Sequence, residues 1–356
     1  MRNSVITDAA RASSFVDAPG GQAPNSDRRR FLRRAAVGAA LGQVMILAGC
    51  GEGDQSPLAK TNPTPTPTAT STPTILPVTD TDMLVLMLQL HYLQAEFYSR
   101  AILGAPLPAS LTSGSGIAGD VTGPRAVTIG DPILADILRE IAAEKIDQVV
   151  RLRVVLGSSA PARPAINLAT GTDGVFGRYN ALASAPTSTV NSTATTAVIG
   201  DVYANQEQFL LGAFLIEDAV MAGWRGVATL MVSASNIDVA AGLLGTSAAH
   251  AGLIRSQLFA RGGVSGSQLR QSTIRLSDIR DTFAPVDDDR GVAAGTTGSG
   301  LATADINPAD GDGEIYGRLP NLTINTFYMT QATTTSGGFF PAGLNGVLKQ
   351  SSANSG

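Results

Sequence analysis

Only two histidines and one cysteine occur in the 356 residues of this chain. A single cysteine, Cys50, excludes any intramolecular disulfide. Charged residues make up 15%, and the formal net charge is −4. A mildly acidic chain with no basic cluster argues against a nucleic-acid partner. No glycine-rich phosphate loop opens a helix, no nucleophile elbow is present, and no serine stands in a triad context. Beyond residue 50 no segment reads as long and apolar enough to cross a membrane.

The first 78 residues carry targeting and spacing signals. Residues 1–27 are polar and without pattern, and Arg28-Arg29-Arg30-Phe31-Leu32-Arg33 follows them. Paired Arg28 and Arg29 before Phe-Leu and a basic residue fit a twin-arginine export signal, which makes the twin-arginine translocase an expected partner. The apolar run from Ala35 to Gly49, about 15 residues, is too short for a mature span. It ends in Leu47-Ala48-Gly49-Cys50, a sequence like a lipoprotein cleavage box. Cys50 is therefore the expected lipidation site and the expected tether to a membrane, in the periplasm or at the cell surface. The alternative is a free thiol behind an ordinary signal peptide. From Gly51 to Val78 the Pro/Thr-rich chain reads as an extended spacer. From Cys50 onward 18 basic residues stand against 26 acidic ones.

After the spacer, apolar residues recur at helical spacing in four long stretches. The expected helices cover Thr79 to Leu103, Asp131-Pro132 to Gly157, Asn205 to Val232 and Asn236 to Arg261. A long Ala/Ser/Thr-rich connection separates the second from the third, with a short helix near Tyr179 to Leu182. Such a crossover suits a bundle whose second and third helices run parallel, as in ferritin-like folds. The organisation expected is a signal segment at 1–50, a linker at 51–78, an all-α ferritin-like four-helix bundle at 79–262, and a loop-rich C-terminal extension at 263–356. The extension is expected to wrap the bundle, with a helix near Ser272 to Phe283.

Helical phase sorts the polar residues of these stretches. On the first helix His91 shares a stripe with Leu84, Leu88, Ala95 and Tyr98, while Glu96 points the other way, to solvent. On the second, Lys145 and Gln148 face inward, and Glu140, Glu144, Asp147 and Arg151 form a separate polar seam. Glu217 sits inward on the third helix, and Ser247 and His250 on the fourth. His91 precedes Tyr98 by seven residues, and Glu217 precedes Trp224 by seven. Each of these helices is followed by one with a polar pair three apart. Tyr98 and Trp224 read as core aromatics with satisfied polar atoms.

This pattern resembles the bacterial ferritin-like proteins related to plant desiccation-associated proteins. The resemblance rests on Leu90-His91-Tyr92-Leu93-Gln94-Ala95-Glu96-Phe97-Tyr98, on Leu152-Arg153 with Leu156-Gly157, and on Ala162-Arg163-Pro164-Ala165-Ile166. It extends to Phe209-Leu210-Leu211-Gly212-Ala213-Phe214 with Glu217-Asp218, and to Gly337-Gly338-Phe339-Phe340-Pro341 with Gly343-Leu344-Asn345-Gly346. It implies an extracytoplasmic, stress-linked role. The family's pattern has Glu at the place of His91, Glu-x-x-His at Lys145 and Gln148, and Glu-x-x-His at Ser247 and His250. Only Glu217 and His250 match it.

One inward carboxylate cannot neutralise two iron or manganese ions, and a lysine cation beside them is unfavourable. The reading adopted is a degenerate di-metal site without a cofactor. There Lys145 pairs with Glu217, while His91, Gln148, Ser247 and His250 satisfy one another in a non-catalytic structural, binding or protective protein. The alternative is a mononuclear iron or manganese oxidoreductase with His91, Glu217 and His250 as ligands. Asp287-Asp288-Asp289 and Asp310-Gly311-Asp312-Gly313-Glu314 lack EF-hand spacing and read as solvated turns. Self-association is left open.

Overall fold

The computed structural model describes residues 77–184, 199–284, 289–310 and 312–353. Arg28, Arg29 and Cys50 lie outside the described residues, and with them the export and lipidation expectations. Helices account for most of the described structure: α1 Asp80–Tyr98, α2 Pro132–Leu156, α3 Val175–Ser184, α4 Gln206–Ala228, α5 Ala234–Arg261, α6 Leu269–Phe283 and α7 Pro320–Tyr328. There are also two short helical turns, Ala109–Thr112 and Gly157–Ser159, and two short ribbons, β1 Val121–Thr122 parallel to β2 Ile166–Asn167 and β3 Ala293–Thr296 antiparallel to β4 Ala302–Asp305.

The starts of the helices follow local chemistry. Thr79 and Asp82 close a capping box on α1, and Asp131 accepts from Ile133 and Leu134 ahead of α2, with Pro132 in the first turn. Asn205 caps α4 through the Gln208 amide at 2.9 Å. α1 continues through a π-helical turn, Ser99–Leu103, and stops at Gly104, whose φ of 72° suits glycine.

Side-chain ties fix how α1, α2, α4 and α5 run. The Gln206 amide oxygen at the start of α4 accepts from Gly130 and Asp131 at the start of α2, so these two helices are parallel. Arg261 at the end of α5 pairs with Asp131 at 2.5 Å and Glu207 at 3.4 Å, so α5 opposes both. Asp80 at the start of α1 accepts from the Val232 and Ser233 amides just before α5. This is the parallel second and third helix expected of the long crossover. The termini tied in this way place carboxylates at helix N-termini and a guanidinium at a C-terminus, each where the helix dipole favours it.

α1 and α4 are buried on every side, from Met83 to Tyr98 and from Phe209 to Trp224. The connection after α2 and the stretch around Asn345 cover α1, while α6 and α7 of the C-terminal extension pack on α4. Gly226 permits this approach, because a Cβ there would lie 1.7 Å from the Arg318 carbonyl oxygen. The seam between extension and bundle is charged. Asp218 on α4 accepts from Arg255 at 2.8 Å and Arg280 at 3.3 Å, and Arg280 also pairs with Asp289 at 2.5 Å. Tyr316 donates to Asp289 at 3.0 Å, and Arg318 pairs with Asp281 at 2.7 Å.

Three expectations are corrected. Glu96 is fully buried rather than solvated. Arg100 at 2.6 Å and Arg163, from the connection after α2, pair with it, because the outer side of α1 is covered by that connection. Asp289 is a buried member of the arginine network rather than a solvated turn residue. α5 does have the length and mean hydropathy, 1.3, of a spanning helix, because its outer face is Ala and Gly. By length and composition alone it qualifies, while its inner face packs on α4.

Asp218→Ala would leave the buried Arg255 guanidinium without a carboxylate and Arg280 with Asp289 alone, and is expected to cost about 3–5 kcal/mol in urea unfolding. Asp80→Ala, which uncaps the α5 end, should cost about 1 kcal/mol. The Ser233 amide in particular holds the Asp80 carboxyl below its usual range, against the opposing effect of burial. Its contribution is therefore present above pH ~4 and is lost as the pH falls further. Equal acid sensitivity of wild type and Asp80→Ala would refute that assignment.

Candidate functional site

The inward polar residues meet in the middle of the bundle through an antiparallel register between α1 and α4. The Trp224 indole N–H donates to His91 Nε2 at 2.8 Å, and one helical stretch away Tyr98 faces Glu217. The seven-residue spacing on each helix thus closes across the pair, with each polar residue meeting the other helix's aromatic. Lys145 Nζ on α2 donates to Glu217 Oε2 at 2.7 Å, and Gln94 Nε2 donates to the same oxygen at 2.9 Å. Lys145 and Glu217 are both fully buried. His250 Nε2 lies 2.5 Å from Glu144, whose side chain is 42% exposed. Ser247 and Gln148 are buried, Gln148 against His91.

Burial dominates the electrostatics. It pushes the Glu217 carboxyl up and the Lys145 ammonium down, while their mutual attraction opposes both shifts. Burial, then Lys145, lowers His250 to about 3. His91 is held well below the imidazole range by burial, Lys145 and His250 in that order. Tyr98 is driven well above 10, first by burial and then by Glu217.

The skeleton implies a metal, and the donor atoms decide whether one fits. An indole N–H can only donate, so His91 Nε2 is the bare nitrogen and His91 Nδ1 carries the proton. Glu217 Oε2 is taken by an ammonium and an amide. Among the described residues no three His, Cys, Asp or Glu side chains converge as a metal-holding group. As arranged, His91, Glu217 and His250 do not offer a cation three free lone pairs, and the site does not fit a metal.

The structure brings Lys145 to Glu217 and directs His91 and His250 elsewhere, to Trp224 and Glu144. Gln94, Glu144 and Trp224 are the partners that sequence reasoning missed. Gln94 sits three residues after His91 and four before Tyr98, near enough to the inward stripe to be found. Helical phase puts Glu144 on the polar seam, although a register shifted by one residue would put it and Asp147 in the second-helix slots; its reach to α5 depends on the spacing of neighbouring helices.

Four helices with a long crossover and an inward polar box define a ferritin-like fold. Residues 79–260, just over half of the chain, match the ferritin-like domain model, and the chain belongs to that family. Proteins of this fold characteristically hold iron or manganese in a carboxylate box. The chain is similar to the ferritin-like catalase Nec2 of Nesocodon mauritianus, 22% identical over 284 residues, covering 73% of this chain and 82% of that protein. No solved structure is matched.

Lys145→Ala should destabilise the fold by about 3–5 kcal/mol in urea unfolding, because Glu217 is left buried and unpaired. Replacing both partners, as Lys145→Met with Glu217→Leu, should recover most of that loss. Both histidines have folded-state pKa values below the unfolded value. The unfolded chain therefore takes up protons first, and their contribution is present above pH ~6.5 and lost on acidification, by up to ~1.4 kcal/mol per pH unit for each ring. His250→Gln should flatten that slope. An unchanged slope would contradict the assignment.

Proposed function

We propose that this is an exported, lipid-anchored ferritin-like protein whose degenerate di-metal box serves as a metal-free polar core. Its role is structural, binding or stress-protective rather than oxygen-activating. The observation that carries the reading is the Lys145 ammonium 2.7 Å from Glu217 in a fully buried setting, an internal cation where a metal ion would need carboxylates. Arg28 and Arg29 as export signal, Cys50 as membrane tether and residues 51–78 as spacer complete the proposal. The desiccation-type resemblance supplies the stress context.

The competing reading is a mononuclear iron or manganese oxidoreductase using His91, Glu217 and His250. It draws on the likeness to a ferritin-like catalase and on the unpartnered Glu217 Oε1 and His250 Nδ1. It requires His91 to leave Trp224 and Lys145 to leave Glu217.

Elemental analysis of full-length protein purified without chelator separates the two, alongside oxygen release from hydrogen peroxide. Far less than one metal per chain and no oxygen release are expected. Stoichiometric iron or manganese that disappears in His250→Ala, with catalase activity lost in parallel, would establish the oxidoreductase instead.

A further inference from the structure

The turn between α4 and α5 reads Thr229-Leu230-Met231-Val232-Ser233, without a charge. Turns at the ends of a bundle are ordinarily polar, because water surrounds them. Here Val232 is 88% exposed and Leu230 43%. Folding brings more apolar surface to the same end. Asp80 accepts from the Val232 and Ser233 amides at 3.1 and 2.9 Å, which sets Val78, two residues before it, beside the turn. Asn236 donates to the same carboxylate at 3.2 Å, and Ile237 follows it in the first turn of α5. The Leu319 backbone lies against Gly226 in the last turn of α4. Val78, Ile237 and Leu319 are each between 40% and 46% exposed.

The two ends of the bundle differ in kind. At the far end Asp131, Glu207 and Arg261 form a charged cluster partly open to water. At the apolar end the Asp80 carboxylate is buried and spent on backbone amides. Arg225, in the last turn of α4, is paired with Glu314 at 2.8 Å. The charge that α5 exposes near the turn is acidic, Asp238, so this end has no attraction for anionic headgroups. Clustered exposed apolar side chains mark a contact surface.

The course of the chain says what this surface faces. The described fold begins at Pro77, on the apolar end, and the lipidation box at Cys50 precedes it. At about 3.1 Å per residue the spacer 51–78 reaches at most about 90 Å. A tether of that kind holds the domain near the membrane at a high effective concentration, so a patch too small to bind a free protein is occupied.

We propose that the α4–α5 turn, Leu230 and Val232 with Val78, Ile237 and Leu319 around them, docks on the surface of the bilayer that holds Cys50, among zwitterionic headgroups. This deepens the lipid-anchored reading and rests on it. The bundle then stands on end, with Arg261 about 40 Å from the membrane, the length of α5.

Fluorescent reporters on the full lipidated chain test this in phosphatidylcholine vesicles whose acyl chains carry bromine as quencher. Cys50 is the sole native cysteine and its thiol is taken by the lipid, so an introduced thiol is labelled alone. Ser235→Cys puts the label beside the patch, and Ser265→Cys puts it near Arg261 at the far end, both on exposed positions. Strong quenching at residue 235 and none at residue 265 is expected. It should persist from about 0.1 M to about 1 M salt, because no ion pair holds the patch. Leu230→Asp with Val232→Asp changes only exposed side chains, so the fold is kept, and should bring the signal at residue 235 down to that at 265. Equal quenching at both ends, quenching that survives the double variant, or residue 235 shielded by a cross-linkable second copy would overturn the docking face. Intact mass on the same sample keeps the two readings apart. A chain without lipid on Cys50 removes both, whereas a lipidated chain unquenched at residue 235 removes only this one.

Discussion

Two adjacent carboxylates, Glu217 and Asp218, are buried on a helix that has no solvent face. Successive helical residues point about 100° apart, so one partner cannot serve both. Glu217 turns into the bundle and is met by Lys145, while Asp218 turns toward the extension and is met by Arg255 and Arg280. Burying an unpaired carboxylate is costly enough that both neutralising shells must form together. The bundle interior and the C-terminal extension are thereby coupled through a single turn of α4.

The polar core inherits its order from helix register. His91 with Trp224 and Tyr98 with Glu217 occupy matched levels on antiparallel helices, which is why a seven-residue spacing recurs on both. Trp224 then decides the tautomer of His91, and Glu144 decides that of His250. A site that could present lone pairs to a cation presents instead one N–H and one lone pair. In this arrangement both rings are engaged in hydrogen bonds.

Several residues that carry the family resemblance bind the structure together. Arg163 pairs with Glu96, and Arg153 donates to the Tyr92 hydroxyl at 2.6 Å. Asn345, from the C-terminal glycine-rich stretch, exchanges hydrogen bonds with Gln89, accepting at 2.8 Å and donating at 2.5 Å. These ties anchor the outer cover of α1. Likeness in these stretches therefore reports a shared scaffold, and the departures at His91, Lys145, Gln148 and Ser247 report a different interior.

Sequence alone determined what depends on local order. The four bundle helices, and the stops of three of them at glycine, follow from capping residues and a 3.6-residue period, as does the inward phase of Lys145, Gln148, Glu217 and His250. Each is set within a few turns of chain. Tertiary structure decided what depends on distance between helices. Glu96 reads as solvated because helical phase cannot see a covering segment more than sixty residues away, and Asp289 because a run of aspartates carries no sign of the Arg280, Tyr316 and Arg318 side chains that fold onto it. The arginine network escaped notice because its members, Asp218, Arg255, Arg280 and Arg318, lie on separate elements and share no spacing. Which partner each inward side chain chose, Trp224 for His91 and Glu144 for His250, followed from reach across the bundle, a quantity that periodicity does not contain.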